Sequence, residues 1–267
     1  MKSILIVLFS LCLCLPQLAE AQISKGGIPF SLQNGHNKSL RFSPIPEVAL
    51  QPVNMEEIAR EDSVNDLRND VPWRFGIARE LDLGFENAGV WDTLADGSRL
   101  WRLKLSSAGA NSINLNYSLF FMPPGAKLFV YNRRKEILGA FTQVNNKADS
   151  AFANLPVSGE EVYLEYFEPF AVLGQGRLKI SHLVHGYRYF KSGNKAFNSS
   201  GYCNVNVTCP EGDTWQNEKR AVVVLVTVNN TSKCTGTLLN NVRQDGTPYI
   251  LTAAHCGNWS NAIFRFD

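Results

Sequence analysis

The sequence predicts an all-β protein: a β-sandwich followed by the first part of an antiparallel β-barrel. Three observations carry that expectation. Val, Thr, Tyr, Phe and Asn abound while long Glu/Lys/Ala helical runs are scarce, a composition suited to pleated, half-buried surfaces. Apolar and polar residues alternate with period two, as in Trp101-Arg102-Leu103-Lys104-Leu105. Turn signals such as Pro123-Pro124-Gly125 and Gln244-Asp245-Gly246 recur between these runs.

With 267 residues, the chain has room for one large or two ordinary domains. Its 26 basic and 24 acidic residues leave a net charge of +2, which makes no case for nucleic acid or an acidic surface as partner. The six cysteines fall into two groups. Cys12 and Cys14 lie in an N-terminal apolar run, and Cys203, Cys209, Cys234 and Cys256 lie near the other end.

Residues 1–21 read as a secretory signal peptide. Lys2 supplies the positive charge, Ile4 to Leu15 is almost unbroken apolar chain, and Ala19-Glu20-Ala21 is an A-x-A cleavage site. The run is short of the about 20 apolar residues of a membrane span. Leu11 and Leu13 stand before Cys12 and Cys14 where a lipoprotein needs a small residue, so lipidation is not expected. The mature product is expected to be exported, with no stable membrane insertion after signal cleavage. In an oxidising compartment the four late cysteines read as disulfide partners.

Residues 22–72 are polar and broken by Pro44, Pro46 and Pro52, and read as a pro-segment or linker. One short helix is expected between Asn54 and Arg68, with Met55, Ile58 and Ala59 on one side. Strands are then expected at 101–105, 112–121, 127–131, 137–142, 161–167 and 178–185. Six or more short strands with turns between them suggest a sandwich over residues 73–190, of about 110 residues. Residues 191–200 form a Ser/Asn/Gly-containing link. Lys191 and Lys195 lie in or beside it, where processing concentrates.

Residues 201–267 carry the chemistry. Arg220 to Val228 is a β-branched run and reads as a buried strand, Cys234 to Leu239 as a second, and Tyr249 to Ala253 as a third, ending beside His255. The pattern is that of an antiparallel meander. A neutral imidazole held at a strand end is suited to taking a proton near pH 7. Ala253 and Ala254 are small enough for the turn to pack tightly.

Three runs together resemble the start of the mature domain of bacterial lysyl endopeptidases. They are Gly201 to Asp213, with its Cys203 and Cys209, followed by Lys219-Arg220-Ala221-Val222; Cys234-Thr235-Gly236-Thr237-Leu238-Leu239-Asn240-Asn241; and Tyr249-Ile250-Leu251-Thr252-Ala253-Ala254-His255-Cys256-Gly257. The resemblance implies a secreted, chymotrypsin-like serine protease that hydrolyses protein and peptide substrates through an acyl-enzyme. It implies that His255 is the general base and that Cys234 pairs with Cys256. It also implies that Cys203 and Cys209 pair with cysteines beyond this sequence. The triad Asp and Ser are expected there too, because Asp267 follows His255 too soon and no Gly-x-Ser-Gly nucleophile motif is present. The chain therefore reads as a C-terminally truncated precursor, inactive as it stands, with the sandwich as an intramolecular pro-domain.

Competing readings are weaker. The late cysteines lack the C-x2-C spacing of a zinc knuckle, and His182 and His185 point to opposite faces of a strand. No cofactor and no metal is expected. Trp73, Trp91 and Trp101 could form a glycan-binding face, but the core of a sandwich accounts for them better. A second functional class remains: an exported β-sandwich binding or adhesion protein with an inactive protease-like segment. A downstream Ser motif discriminates the two.

Overall fold

The computed structural model describes residues 24–33, 42–188, 205, 207–227, 229, 231–257 and 262–266. The signal peptide, the link with Lys191 and Lys195, and Cys203 lie outside the described residues. The elements in chain order are β1 (Glu47–Leu50), α1 (Met55–Asn65), β2 (Trp73–Arg74), β3 (Gly76–Gly84), β4 (Val90–Thr93), β5 (Arg99–Ser107), β6 (Ser112–Phe121), β7 (Lys127–Tyr131), β8 (Ile137–Phe141), β9 (Phe152–Ala153), β10 (Val157–Ser158), β11 (Glu161–Glu168), β12 (Arg177–Gly186), α2 (Gln216–Ala221), β13 (Val222–Thr227), β14 (Ser232–Leu239), β15 (Tyr249–Thr252) and β16 (Ile263–Phe266).

The fold is all-β. One sheet runs β1-β5-β11-β7-β8, with β4 end to end with β1 on the same edge of β5. A second runs β10-β6-β12-β3, with β9 also on β6. The two face each other across one core. Trp101, Leu103 and Leu105 of β5, Val162, Leu164 and Tyr166 of β11, and Ile113, Leu115 and Tyr117 of β6 enter it at every second position, as the pleat requires. A bulge between Ile180 and His182 shifts the phase of β12, so Leu178, Ile180 and Leu183 share the core.

Two expectations change. Strand β5 is half-buried as expected where Lys104 and Ser106 alternate with Leu103, Leu105 and Ser107, but around Leu100 and Arg102 it is buried on both faces, with Phe42 and Ser43 over Arg102. The Arg102 guanidinium bonds Asp92 Oδ2 at 2.6 Å and the Ser43 carbonyl at 2.7 Å, and stacks 4.7 Å from the Phe42 ring. Helix α1 forms where expected, with Asn54 Oδ1 accepting the Glu57 N–H at its N-terminus. Its buried face passes through Ile58 and Asp62, though, and Met55 and Ala59 are exposed.

Strand β1 lies within a stretch in which the sequence shows no strand pattern, and it pairs parallel with β5. Residues 24–33 also lie on the first sheet. Lys25 N–H donates to the Ala140 carbonyl at 3.0 Å, Phe30 stacks on Phe167, and Ser31 bonds the buried Glu165 carboxylate. Burial pushes the Glu165 pKa up, against the opposing bonds from Ser31.

His182 and His185 face opposite sides of β12. His182 is half-buried, and its Nδ1 shares a 3.0 Å hydrogen bond with the Ser181 hydroxyl. His185 points inward, 2.8 Å from the Ser107 hydroxyl on the facing sheet. Burial, then the charge of Arg79, lowers the pKa of His185 from 6.5. The unfolded chain therefore binds this proton more readily. The stability conferred by the neutral ring is whole above pH 6.5 and drains as pH falls through the folded-state pKa. The protein is expected to melt at a lower temperature at pH 5 than at pH 7 through this group. His185→Gln, compared over the same range, should show the smaller drop.

A third sheet, β15-β14-β13-β16, is antiparallel throughout and open, not a closed barrel. It packs on the outer side of the second sheet, where Val184 meets Phe75, Ala153, Val226 and Ile263. Strand β2 joins this third sheet by pairing antiparallel with the start of β14.

Candidate active site

The site begins with the close approach of β14 and β15. Gly236 lies opposite Thr252 and Thr237 opposite Leu251. A Cβ on Gly236 would come within 2.7 Å of Ile250 Cγ2, 3.1 Å of Leu225 Cδ1 and 3.2 Å of the Leu251 carbonyl oxygen. That explains a glycine in the middle of Cys-Thr-Gly-Thr: the two strands and β13 meet over it. The Thr252 hydroxyl then donates to the Thr235 carbonyl at 2.8 Å and ties the end of β15 to its neighbour.

Past Thr252 the chain enters a single 3-10 turn, Ala254–Cys256. The Cys256 N–H donates to the Ala253 carbonyl at 3.1 Å, and Gly257, at φ 75°, lets the chain leave it. Cys256 is buried and bonded to Cys234, with Cα atoms 6.0 Å apart. The bridge spans a separation of 22 residues and contributes about 3 kcal/mol by chain entropy. Its local effect matters more, since it holds the residue beside it. His255 is at the surface, with a ring nitrogen within 4.8 Å of both sulfurs. Both sulfurs are consumed in the disulfide, so this trio offers no thiolate to a metal.

Ala253 and Ala254 are exposed, contrary to the expectation that their small size lets the turn pack. Closeness here comes from Gly236 and the disulfide. Cys209 is half-buried with a free thiol, just before the turn Pro210–Trp215, and its carbonyl accepts the Gly212 N–H at 2.8 Å. Trp101 is a core residue whose Nε1 donates to the Ala88 carbonyl at 2.8 Å. Trp73 instead lies under the ammonium of Lys233 at 4.4 Å, and burial lowers the pKa of that lysine.

A further neighbour has no signal in the sequence. Residues 73–76 come from far upstream yet run along the start of β14. The Asp70 carboxylate is held down to about 2, first by its bond with Arg68, with the charge of His255 also acting on it. Nothing local in the sequence connects these two stretches, because strand pairing between distant segments leaves no periodic trace.

The arrangement places an exposed imidazole on a rigid turn, where it can accept and return a proton. No solved structure matches the chain. The family model described as lysyl endopeptidase, C-terminal domain, matches residues 197–266, and over that stretch the chain resembles lysyl endopeptidases and is related to proteases.

Proposed function

We propose that the chain is the front part of an exported serine endopeptidase precursor of the lysyl-endopeptidase type, in which His255 is the general base. The carrying observation is the position of His255: next to a disulfide that pins its turn to β14, within the stretch that matches the lysyl endopeptidase model. In this reading a serine beyond residue 267 attacks the peptide carbonyl while His255 takes its proton. The imidazolium then protonates the leaving amine, and water hydrolyses the acyl-enzyme. An aspartate also beyond residue 267 orients the ring, and Cys203 and Cys209 find their partners there.

The same reading divides the chain into a signal peptide (1–21), a pro-segment (22–72), a sandwich pro-domain (73–190), a processed link (191–200) and the start of the protease domain (201–267). The substrates are proteins and peptides; nucleic acid has no place in it. Export is supported by the disulfide and the N-terminal pattern. No described helix is long and apolar enough to cross a membrane.

A serine-directed fluorophosphonate tests the proposal on the secreted product of the full-length gene. Covalent labelling of one serine, lost in His255→Ala, is the expected result. A full-length gene without a downstream Gly-x-Ser-Gly, or a product that never labels, would leave the sandwich as the working part, a binding module.

A further inference from the structure

The start of β14 is a strand edge that could receive an extended peptide, and this chain fills it from within. Ser232 lies opposite Arg74 and Lys233 opposite Trp73 in antiparallel register. The Phe75 and Gly76 N–H groups both donate to the Thr231 carbonyl, at 2.8 and 3.1 Å. Cys234, next to Lys233, is bonded to Cys256, and a His255 ring nitrogen lies within 4.8 Å of both sulfurs, so this edge lies beside the His255 turn.

The occupant is held by apolar side chains from both parts of the chain and by ion pairs from the sandwich side. Phe75 is fully buried against Val184, Val226 and Ile263. The Arg74 guanidinium bonds Asp62 Oδ1 at 2.8 Å and Glu61 Oε2 at 2.9 Å. The buried Asp62 carboxylate also accepts the Tyr187 hydroxyl at 2.6 Å and pairs with Arg188 at 2.8 Å. Arg188 is the last described residue before the link. One carboxylate thus joins helix α1, the strand laid on β14, and the stem of the segment that leads to the protease-like part.

We infer that the Thr231–Lys233 edge of β14 is a docking site for an extended peptide beside His255, and that residues 73–76 occupy it in cis as a latch. A peptide substrate or inhibitor lying along this edge competes with the sandwich's own strand, and release of the sandwich vacates the edge. The inference deepens the peptidase reading and rests on it for its meaning, but its physical content is a binding competition that needs no catalysis.

The experiment uses the full chain and a fluorescein-labelled synthetic peptide of residues 70–77, followed by fluorescence anisotropy. Arg74→Ala removes the charge-assisted bonds to Asp62 and Glu61 and leaves the apolar core alone. It is expected to bind the peptide about tenfold more tightly than the unchanged chain. Trp73→Ala, which alters a half-exposed ring, is the second variant should the first fold poorly. Hydrogen exchange should show peptide-induced protection at residues 231–235. Equal affinity in unchanged and variant chains, or protection confined to another sheet, overturns the latch. Fluorophosphonate labelling of the full-length gene product is a separate outcome. Its absence together with tighter peptide binding sinks the peptidase reading and keeps the docking site, and labelling without the affinity change does the reverse.

Discussion

On the proposed serine endopeptidase reading, His255→Ala in the product of the full-length gene is expected to lower kcat on peptide substrates by about a millionfold, with KM little changed. The size follows from the role: without the imidazole nothing takes the serine proton as the bond to carbon forms, and nothing returns it to the leaving amine. What survives is catalysis by the remaining oxyanion and binding contacts. The fold should be spared. His255 is at the surface, and the disulfide, the Thr252–Thr235 bond and Gly236 hold the turn without it. Stability should therefore change by no more than about 0.5 kcal/mol, the ordinary range of a surface substitution. Steady-state kinetics and a thermal melt on one preparation separate the two effects. A loss of less than tenfold in kcat would remove His255 from proton transfer, whatever the family resemblance implies.

Asp92→Ala is expected to destabilise the sandwich by about 3–5 kcal/mol. Asp92 is the anion under which Arg102 is buried, and its other oxygen accepts both the Ser43 N–H at 3.0 Å and the Ser43 hydroxyl at 2.8 Å. Burial by itself would raise its pKa, but the Ser43 bonds and Arg102 outweigh it and hold the carboxyl below the usual range. Removing the carboxylate leaves the buried guanidinium under Phe42 with the Ser43 carbonyl and without its hydrogen-bonded counter-charge, Glu165 across on β11 being the acid that remains near it. The melting point should fall by about 10 °C. The double variant Asp92→Ala with Arg102→Met should recover most of it, because an apolar side chain tolerates the same burial. Acid should mimic the single variant in direction. The folded pKa is depressed, so this stability is present above the unfolded value of 3.8 and is lost as pH falls through the folded one. A double variant no more stable than the single one would show that the loss came from packing around the truncated Asp92 side chain and not from the stranded charge.

Much of the sandwich was legible because its strands carry their environment in their spelling. Trp101-x-Leu103-x-Leu105 and Val162-x-Leu164-x-Tyr166 alternate because one face of each strand enters the core. The meander around His255 was legible for a different reason: β13, β14 and β15 are consecutive neighbours, so short turns dictate their pairing. Strand β1 was not legible, since Glu47-Val48-Ala49-Leu50 is too short to show a period. The inner position of Arg102 was hidden as well. An arginine in an alternating run reads as solvent-facing until Asp92, Ser43 and Phe42 arrive from elsewhere to cover it.

The amino-acid order settled the class of the fold, the strand that delivers His255 and the family that residues 197–266 resemble, all of which depend on neighbours along the chain. Folding in three dimensions added what depends on distant partners. It laid residues 73–76 along β14, set Asp62 between Arg74 and Arg188, and turned the outer face of β12 toward the third sheet. The reason is physical. Turn and strand preferences act over a few residues, whereas an edge hydrogen bond or a buried ion pair has no local signature and exists only once packing has brought its two halves together.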